Sequence, residues 1–301
     1  MKATPALKQG LVVASYGKRY GVELIDPSSQ QTRSLSCVTR GKKTDLACGD
    51  IVNIKLTDTN EAVIESFNPR STLLYRSNAY RSKLLAANVT QMVIVLATTP
   101  SFYEELLNRC LIASEAAGVT PLILLNKCDV AADKESAMQR LALYSTLGYQ
   151  VLPLSAKTDI SPLKPLLEGH TSVLVGQSGM GKSTITNALL PELGIRTQEV
   201  SMVLDSGKHT TTAAHLYHLN ANSQLIDSPG LQEFGLNHLD IEALEHAFIE
   251  FRPYLGKCRF NNCRHIKEPD CALSQAVVDG SVSSERLKYY QALTHEIGRQ
   301  P

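Results

Sequence analysis

The chain has 301 residues, 43% of them hydrophobic and 20% charged, with seven cysteines and a formal net charge of +1. That is an ordinary soluble composition with room for two or three domains. No stretch approaches the ~18 uninterrupted apolar residues of a membrane span, and the start, MKATPALKQG, lacks the apolar region of ~7–15 residues that a secretory signal carries. The expectation is a cytoplasmic protein without a membrane partner, whose clustered Cys and His bind metal rather than form disulfides.

The near-zero net charge hides an uneven distribution. Residues 1–87 hold 13 Lys/Arg against 7 Asp/Glu, residues 88–235 hold 9 against 13, and residues 236–301 hold 8 against 9. Within the last part, five basic residues from Arg252 to Lys267 precede any acid. Solvated surface charge accounts for either basic region alone; two of them flanking an acidic middle point to a polyanion such as nucleic acid.

From residue 10 to 68 the pattern is short strands: LVVASY, GVELID, RSLSCVT, GDIVNIKL and EAVIESF, separated by glycines. Five strands in so short a span suit a small closed barrel, with an OB-fold as the leading candidate. Tyr16, Lys18, Arg19 and Tyr20 cluster at its first turn, and Arg40, Lys42 and Lys43 at a later one. Aromatic rings for stacking beside cations for phosphates are the equipment of an RNA-binding barrel. The segment NPRSTLLYRSNAYRSK that follows reads as a basic connector.

The middle alternates apolar runs of about five residues with longer 3.6-period segments, the signature of a parallel sheet covered on both faces. QMVIVLATT, PLILL, QVLPLSA, TSVLVG, AAHLYHL and SQLIDS are the strands; EELLNRCLIASEAAG, ESAMQRLALYSTLG and KSTITNALL are helices. After PLILL comes Asn126-Lys127-Cys128-Asp129. A carboxylate at Asp129 can accept from both N1–H and the exocyclic amine of guanine, a match adenine cannot supply. Asn126 can bond the other edge of the ring, and the Lys127 stem can lie over the base. Ser155, Ala156 and Lys157 follow another strand end and can support that loop.

GQSGMGKS, residues 176–183, fits G-x-x-x-x-G-K-[ST] without exception and sits between an apolar strand and a helix. Its backbone N–H groups, from Gly176, Gln177, Ser178, Gly179, Met180 and Gly181 onward into Thr184, can cradle phosphates. Lys182 reaches the β and γ phosphates, and the Ser183 hydroxyl ligates Mg²⁺. LIDSPG places Asp227 at a strand end 44 residues beyond Ser183, suited to a water-mediated Mg²⁺ role, with the Gly230 N–H aimed at a γ-phosphate. Between them SGKHTTTAAH offers Thr210, Thr211 or Thr212 to complete the metal shell; Thr211 is favoured among three adjacent hydroxyls.

The base loop thus precedes the phosphate loop. In a doubly wound sheet, ligand loops lie at the carboxyl ends of the strands whatever order the chain visits them. Joining the ends and cutting between motifs keeps the site while permuting the sequence, so this is a circularly permuted P-loop GTPase domain. The tail begins with the helical DIEALEHAFIEF and ends on SSERLKYYQALTHEI, a helix with serine as its N-cap. Between them Cys258, Cys263, His265 and Cys271 have the types and spacing of a closed tetrahedral zinc site, structural rather than catalytic. Arg252, Lys257, Arg259, Arg264 and Lys267 ride on that loop and can meet RNA phosphates.

These motifs in this order, NKCD, SAK, GQSGMGKS, GKHTTT, DSPG and the Cys/His tail, resemble the small ribosomal subunit biogenesis GTPases of the bacterial RsgA family over essentially the whole chain. The resemblance implies an OB-fold barrel, a permuted GTPase domain and a zinc-binding helical tail; we set their bounds at 1–69, 70–235 and 236–301. It also implies GTP hydrolysis stimulated by the small ribosomal subunit during its late maturation. The partners expected are GTP/GDP and the subunit with its rRNA, the chain acting as a monomer with one zinc and with Mg²⁺ bound beside GTP.

The catalytic water is less determined. Many GTPases place glutamine directly after Asp-x-x-Gly to orient it; here that residue is Leu231, which cannot hydrogen-bond, so unaided hydrolysis is expected to be slow. His209, next to the threonines, is the candidate to replace it, with Gln232 one residue late for the usual geometry. A nucleotide-stabilised rRNA-binding adaptor with incidental hydrolysis is the alternative function. In either case the last motif runs into the zinc tail through residues 231–240, a route by which nucleotide state can reach the tail.

Overall fold

Alternating apolar residues at the start of the chain close into a barrel. In this computed structural model, which describes residues 7–25, 33–41, 46–78, 81–129, 131–192, 214–228 and 234–297, the strands are β1 (Lys8–Ser15), β2 (Arg19–Leu24), β3 (Ser34–Thr39), β4 (Ile51–Leu56) and β5 (Glu61–Phe67). They pair in the order β1-β2-β3-β5-β4, and β4 returns to β1. Only the β3–β5 pairing is parallel within it. Every second side chain points inward: Val12, Val22, Leu35, Cys37, Val52, Ile54 and Ile64 form one buried cluster. Each fully buried aliphatic side chain contributes about 1.5–3 kcal/mol, so this cluster is the barrel's own core, although β1 also pairs outside the barrel.

The connector holds more structure than its sequence suggests. Residues Leu73–Asn78 (β6) and Arg81–Ala87 (β7) pair as an antiparallel ribbon. Its composition reads as basic linker because charge masks the short apolar ends, Leu73, Leu74, Leu84 and Leu85. The ribbon seats the barrel: Arg70 makes a bidentate pair with the buried Asp50 carboxylate at 2.7 and 2.8 Å, and Ala87 N donates to Cys48 O.

The central sheet contains β8 (Gln91–Ala97), β9 (Thr120–Asn126), β10 (Gln150–Pro153), β11 (Thr171–Val175), β12 (His215–His218) and β13 (Gln224–Asp227) in the order β10-β9-β8-β11-β13-β12. All are parallel except β12, which runs antiparallel to β13 and so departs from the all-parallel expectation. A tight return between β12 and β13 allows that direction without a crossover helix. Strand β8 is buried along its whole length, as a central strand covered on both faces must be. Met92, Ile94 and Leu96 face one side with α1 (Glu104–Ala117) and α2 (Ala131–Thr146); Val93, Val95 and Ala97 face the other with α3 (Lys164–Leu167) and α4 (Lys182–Leu189).

The tail packs on the α1 side. It comprises α5 (Ile241–Ala247), a 3₁₀ segment Ile249–Tyr254, α6 (Ala272–Val278) and α7 (Ser284–Ile297). Asp240 caps α5 by accepting from Ala243 N at 2.7 Å, and Ser283 caps α7 by accepting from Glu285 N. The single helix expected over DIEALEHAFIEF instead breaks at Phe248, whose backbone is extended, and resumes as the 3₁₀ segment. Pro253 disfavours a regular helix through the residues before it, and the break lets Phe248 and Phe251 both reach Tyr290. Arg286, almost wholly buried, joins tail to body by donating to Asn108 of α1 and Glu250, with Phe248 under its guanidinium. Among the described residues no helix is long and apolar enough to cross a membrane.

Candidate functional site

The base loop and the phosphate loop leave neighbouring regions of the sheet and are tied together by two side chains. Asn126, at the end of β9 and buried, donates from its amide nitrogen to Met180 O at 3.0 Å and accepts from Ala156 N at 3.0 Å. It braces three loops at once, a role that the sequence reading, which set it against the edge of guanine, did not foresee. Lys127 takes a left-handed backbone (φ 62°), and its ammonium donates to Thr99 O and Gly179 O at 2.8 and 2.7 Å. The lysine stem therefore spans from base loop to phosphate loop.

Asp129 is exposed at the rim. The Ser155 hydroxyl, and more weakly Lys157 and Lys127, hold its carboxyl below the usual carboxylate range, so it stands ionised to accept two donors. Ser155 and Ala156 thus position the base loop from both ends, and Lys157 lies exposed beside them.

Residues 176–183 link β11 to α4. Gly176 has φ 148°, and a Cβ there would lie 2.3 Å from Val95 O; Gly181 has φ 97°, and a Cβ there would lie 2.3 Å from Asn126 Nδ2. Both positions admit only glycine, because sheet backbone and the Asn126 brace press against them. Met180 is buried beneath the loop, whereas Ser178, Gly179 and Ser183 are exposed at its mouth and Thr184 is half-buried behind it. The Gln177 side chain accepts from Tyr103 N, fixing the loop to the start of α1. Lys182, at 8% exposure, donates to Gly176 O and Gln177 O at 2.8 and 3.0 Å.

Asp227 ends β13 opposite Leu174 of β11. Burial raises its carboxyl, while Lys182 and the Thr186 hydroxyl favour the charged form. Burial likewise lowers Lys182, and Asp227 opposes that change. A carboxylate, an ammonium and the exposed Ser183 hydroxyl at one mouth form a set of hard oxygen donors and a phosphate-binding cation, which suits Mg²⁺ carried by a nucleotide phosphate. Thr211, its neighbours Thr210 and Thr212, His209, Gly230, Leu231 and Gln232 lie outside the described residues, as do Lys42 and Lys43.

The Cys/His quartet comes together in the tail. Its four ligand atoms lie within 4.8 Å of one another, with His265 Nδ1 3.3 Å from Cys271 Sγ, 3.5 Å from Cys258 Sγ and 3.6 Å from Cys263 Sγ. Tetrahedral zinc at ~2.3 Å from each thiolate separates its ligands by roughly 3.8 Å, so the quartet fits zinc. The remaining His265 nitrogen lies 3.7 Å from Glu245, which also accepts from Tyr290 OH at 2.8 Å. At that distance the carboxylate is a charged neighbour of the imidazole rather than its hydrogen-bond partner. Glu268 shapes the same loop by accepting from the backbone N–H groups of Arg264, Ile266 and Lys267, which hold its carboxyl down to about 2.

Of the basic residues assigned to RNA, Lys257, Arg259, Arg264 and Lys267 are exposed on this loop, and Lys18, Arg19 and Arg40 on the barrel. Arg252 is committed elsewhere: it pairs with Glu115 of α1 at 2.7 Å and donates to His246 O, docking the tail.

The profile of the RsgA GTPase family matches residues 67–237. The chain is 52% identical over 290 residues to the small ribosomal subunit biogenesis GTPase RsgA of Nitrosospira multiformis, covering 96% of this chain and 91% of that one. Identity to the protein of the same name from Nitrosomonas europaea is 49% over 295 residues, covering 97% and 92%. Among solved structures it resembles YjeQ from Thermotoga maritima (TM-score 0.73, 27% identity, 98% of this chain and 100% of that one) and YloQ, a circularly permuted GTPase (TM-score 0.71, 28% identity, 100% and 99%). Since the profile match spans base loop, phosphate loop and Asp227 together, and the relatives extend the likeness over barrel and tail, the chain belongs to the RsgA GTPase family.

Proposed function

We propose that the chain hydrolyses GTP to GDP and phosphate on the small ribosomal subunit, during late maturation of that particle, and holds rRNA through barrel and zinc tail. The observation that carries this reading is the double brace of Asn126 and Lys127, which makes base loop and phosphate loop one pocket of fixed span. Asp129 reads guanine, supported by Ser155, Ala156 and Lys157. The loop 176–183 and Lys182 hold the phosphates; Ser183, Thr211 and Asp227 serve Mg²⁺, and Gly230 contacts the γ-phosphate. Mg²⁺ neutralises the charge that develops between the β- and γ-phosphates when bound there. Cys258, Cys263, His265 and Cys271 hold one structural zinc.

The bounds 1–69, 70–235 and 236–301, a cytoplasmic location and a monomeric state complete the proposal. His209 remains the candidate to orient the water in place of Leu231, with Gln232 the poorer geometry. Leu231 also supports the second reading, an adaptor whose hydrolysis is incidental.

Turnover of GTP with and without small subunits separates the two. We expect stimulation of at least ten-fold; equal turnover would favour the adaptor. Within the site, Ser183→Ala should reduce Mg²⁺-dependent hydrolysis by ~10²-fold or more while changing GDP affinity several-fold at most, because it deletes a metal ligand and leaves the backbone cradle. Equal loss of both in steady-state turnover and GDP titration would mean a misfolded loop instead.

A further inference from the structure

The barrel is hydrogen-bonded into the catalytic sheet. Strand β12 lies between β13 and β1, so His215 faces Asp227 on one side and Ala14 of the barrel on the other. Residues directly opposite in antiparallel strands share a face, as do residues two apart along one strand. His215, Tyr217 and Asp227 therefore lie on the same side of the sheet.

Rings continue the connection. Tyr16, just past β1, meets the His215 ring edge-on at 5.5 Å, and His215 stacks over Tyr217 at 6.2 Å. The Tyr217 hydroxyl is pushed up to about 12, by burial first and then by the nearby Asp227 carboxylate, so a neutral phenol stands beside the site. Two further bonds grip the same strand: Cys48 Sγ donates to Ala214 O at 3.1 Å, and His218 Nε2 lies 2.7 Å from Glu23 Oε2 of β2.

On its other side Tyr16 is 42% exposed, beside the exposed Lys18 and Arg19. One aromatic ring thus touches the solvent face of the basic turn and the strand that borders Asp227. We infer that Tyr16 is a positioning residue for GTP hydrolysis, acting through His215 and Tyr217 on Asp227, so that RNA held at the turn of residues 16–19 acts on the reaction through this ring. The inference rests on the functional reading above and assigns its regulation a place. Small displacements suffice, since a misplacement of about 1 Å at a reacting centre can cost ~10²-fold in rate.

The test is GTP turnover by the full chain across saturating small-subunit concentrations, with GDP affinity measured in parallel. Tyr16→Ala is expected to lower kcat at saturating subunit about ten-fold, with the half-stimulating subunit concentration changed less than three-fold. Tyr16→Phe, which keeps the ring, restores kcat. Lys18→Ala shows the opposite split, raising the half-stimulating concentration and retaining kcat. Tyr217→Leu, which removes the ring stacked on His215, should lower the same kcat, and the double variant Tyr16→Ala/Tyr217→Leu should fall no further than the worse single variant.

Fully multiplicative effects in the double variant would overturn the inference. So would a Tyr16→Ala variant whose only change is in subunit concentration, which makes Tyr16 an RNA contact alone. Parallel loss of GDP affinity and kcat in both Tyr16→Ala and Tyr217→Leu would reduce the contact to a fold requirement and overturn it too. A wild-type protein that small subunits do not stimulate overturns the functional reading itself, an outcome distinct from all of these.

Discussion

Asp129→Asn should lower affinity for GTP and GDP by ~10⁴-fold and turn the preference of the site toward xanthine nucleotides. The size follows from what the carboxylate does. It is ionised, held below its usual range by the Ser155 hydroxyl, and it can receive two donors from guanine. An amide at the same place offers one acceptor and sets a donor against the guanine N–H groups. A 2-oxo group accepts from that amide, so xanthine recovers the pairing. Asparagine keeps an oxygen for the Ser155 hydroxyl, so the loop should hold its shape. The folded pKa is depressed, so the ionised state and any stability from the Ser155 bond are present above the ordinary carboxylate range and lost only in acid below it. Titration of the variant with GDP and with xanthosine diphosphate measures the switch; unchanged GTP affinity would remove Asp129 from base recognition.

The residues that sequence pattern exposes best are those whose chemistry is local. GQSGMGKS is legible because backbone geometry demands glycine at Gly176 and Gly181, and both positions carry a left-handed φ. The Cys/His quartet is legible because zinc needs few ligands close in sequence. Asn126 was seen as a base contact and missed as a brace, since its partners Met180 and Ala156 lie 54 and 30 residues away. The β6–β7 ribbon was missed because it pairs locally but is stabilised by the barrel on one side and the sheet on the other. The largest omission is the docking of the tail. Sequence adjacency connects Asp227 to the tail through residues 231–240, whereas the described contacts run through α1. Arg286 and Arg252 of the tail reach Asn108 and Glu115 of that helix, Arg109 of the helix reaches Glu296 of α7, and Tyr103 at its start bonds Gln177 of the phosphate loop. Nothing in a lone arginine marks it as a long-range partner, so such contacts are legible only in three dimensions.

That docking sharpens what loss of zinc should do. Removing the metal, or replacing Cys263 with alanine, should unfold the loop between residues 256 and 271 and leave α5, α6 and α7 in place. The loop has no helix or strand of its own among the described residues. His265 sits at φ 59°, a left-handed conformation that costs a non-glycine residue about 1–3 kcal/mol. Against that cost stand the Glu268 bonds to three backbone N–H groups and a few turn bonds, each worth ~1 kcal/mol net. Structural zinc contributes an apparent ~10–16 kcal/mol in small domains, so the metal decides the outcome. The helices do not depend on it. Phe248, Phe251 and Tyr290 pack ring to ring at 4.7 to 5.6 Å, and buried Arg286 bonds both Glu250 and Asn108. Cys263 is the ligand to change, because it is half-buried whereas Cys271 and His265 are buried, His265 beside Tyr290. Elemental analysis of protein purified without chelator should find one zinc per chain. After chelation, limited proteolysis should cut within residues 256–271, next to Lys257, Arg259, Arg264 and Lys267, and the freed cations should bind small subunits more weakly. Protein that carries no zinc, or cleavage that spreads into α7 as readily as the loop, would show that the quartet does not hold this part of the fold.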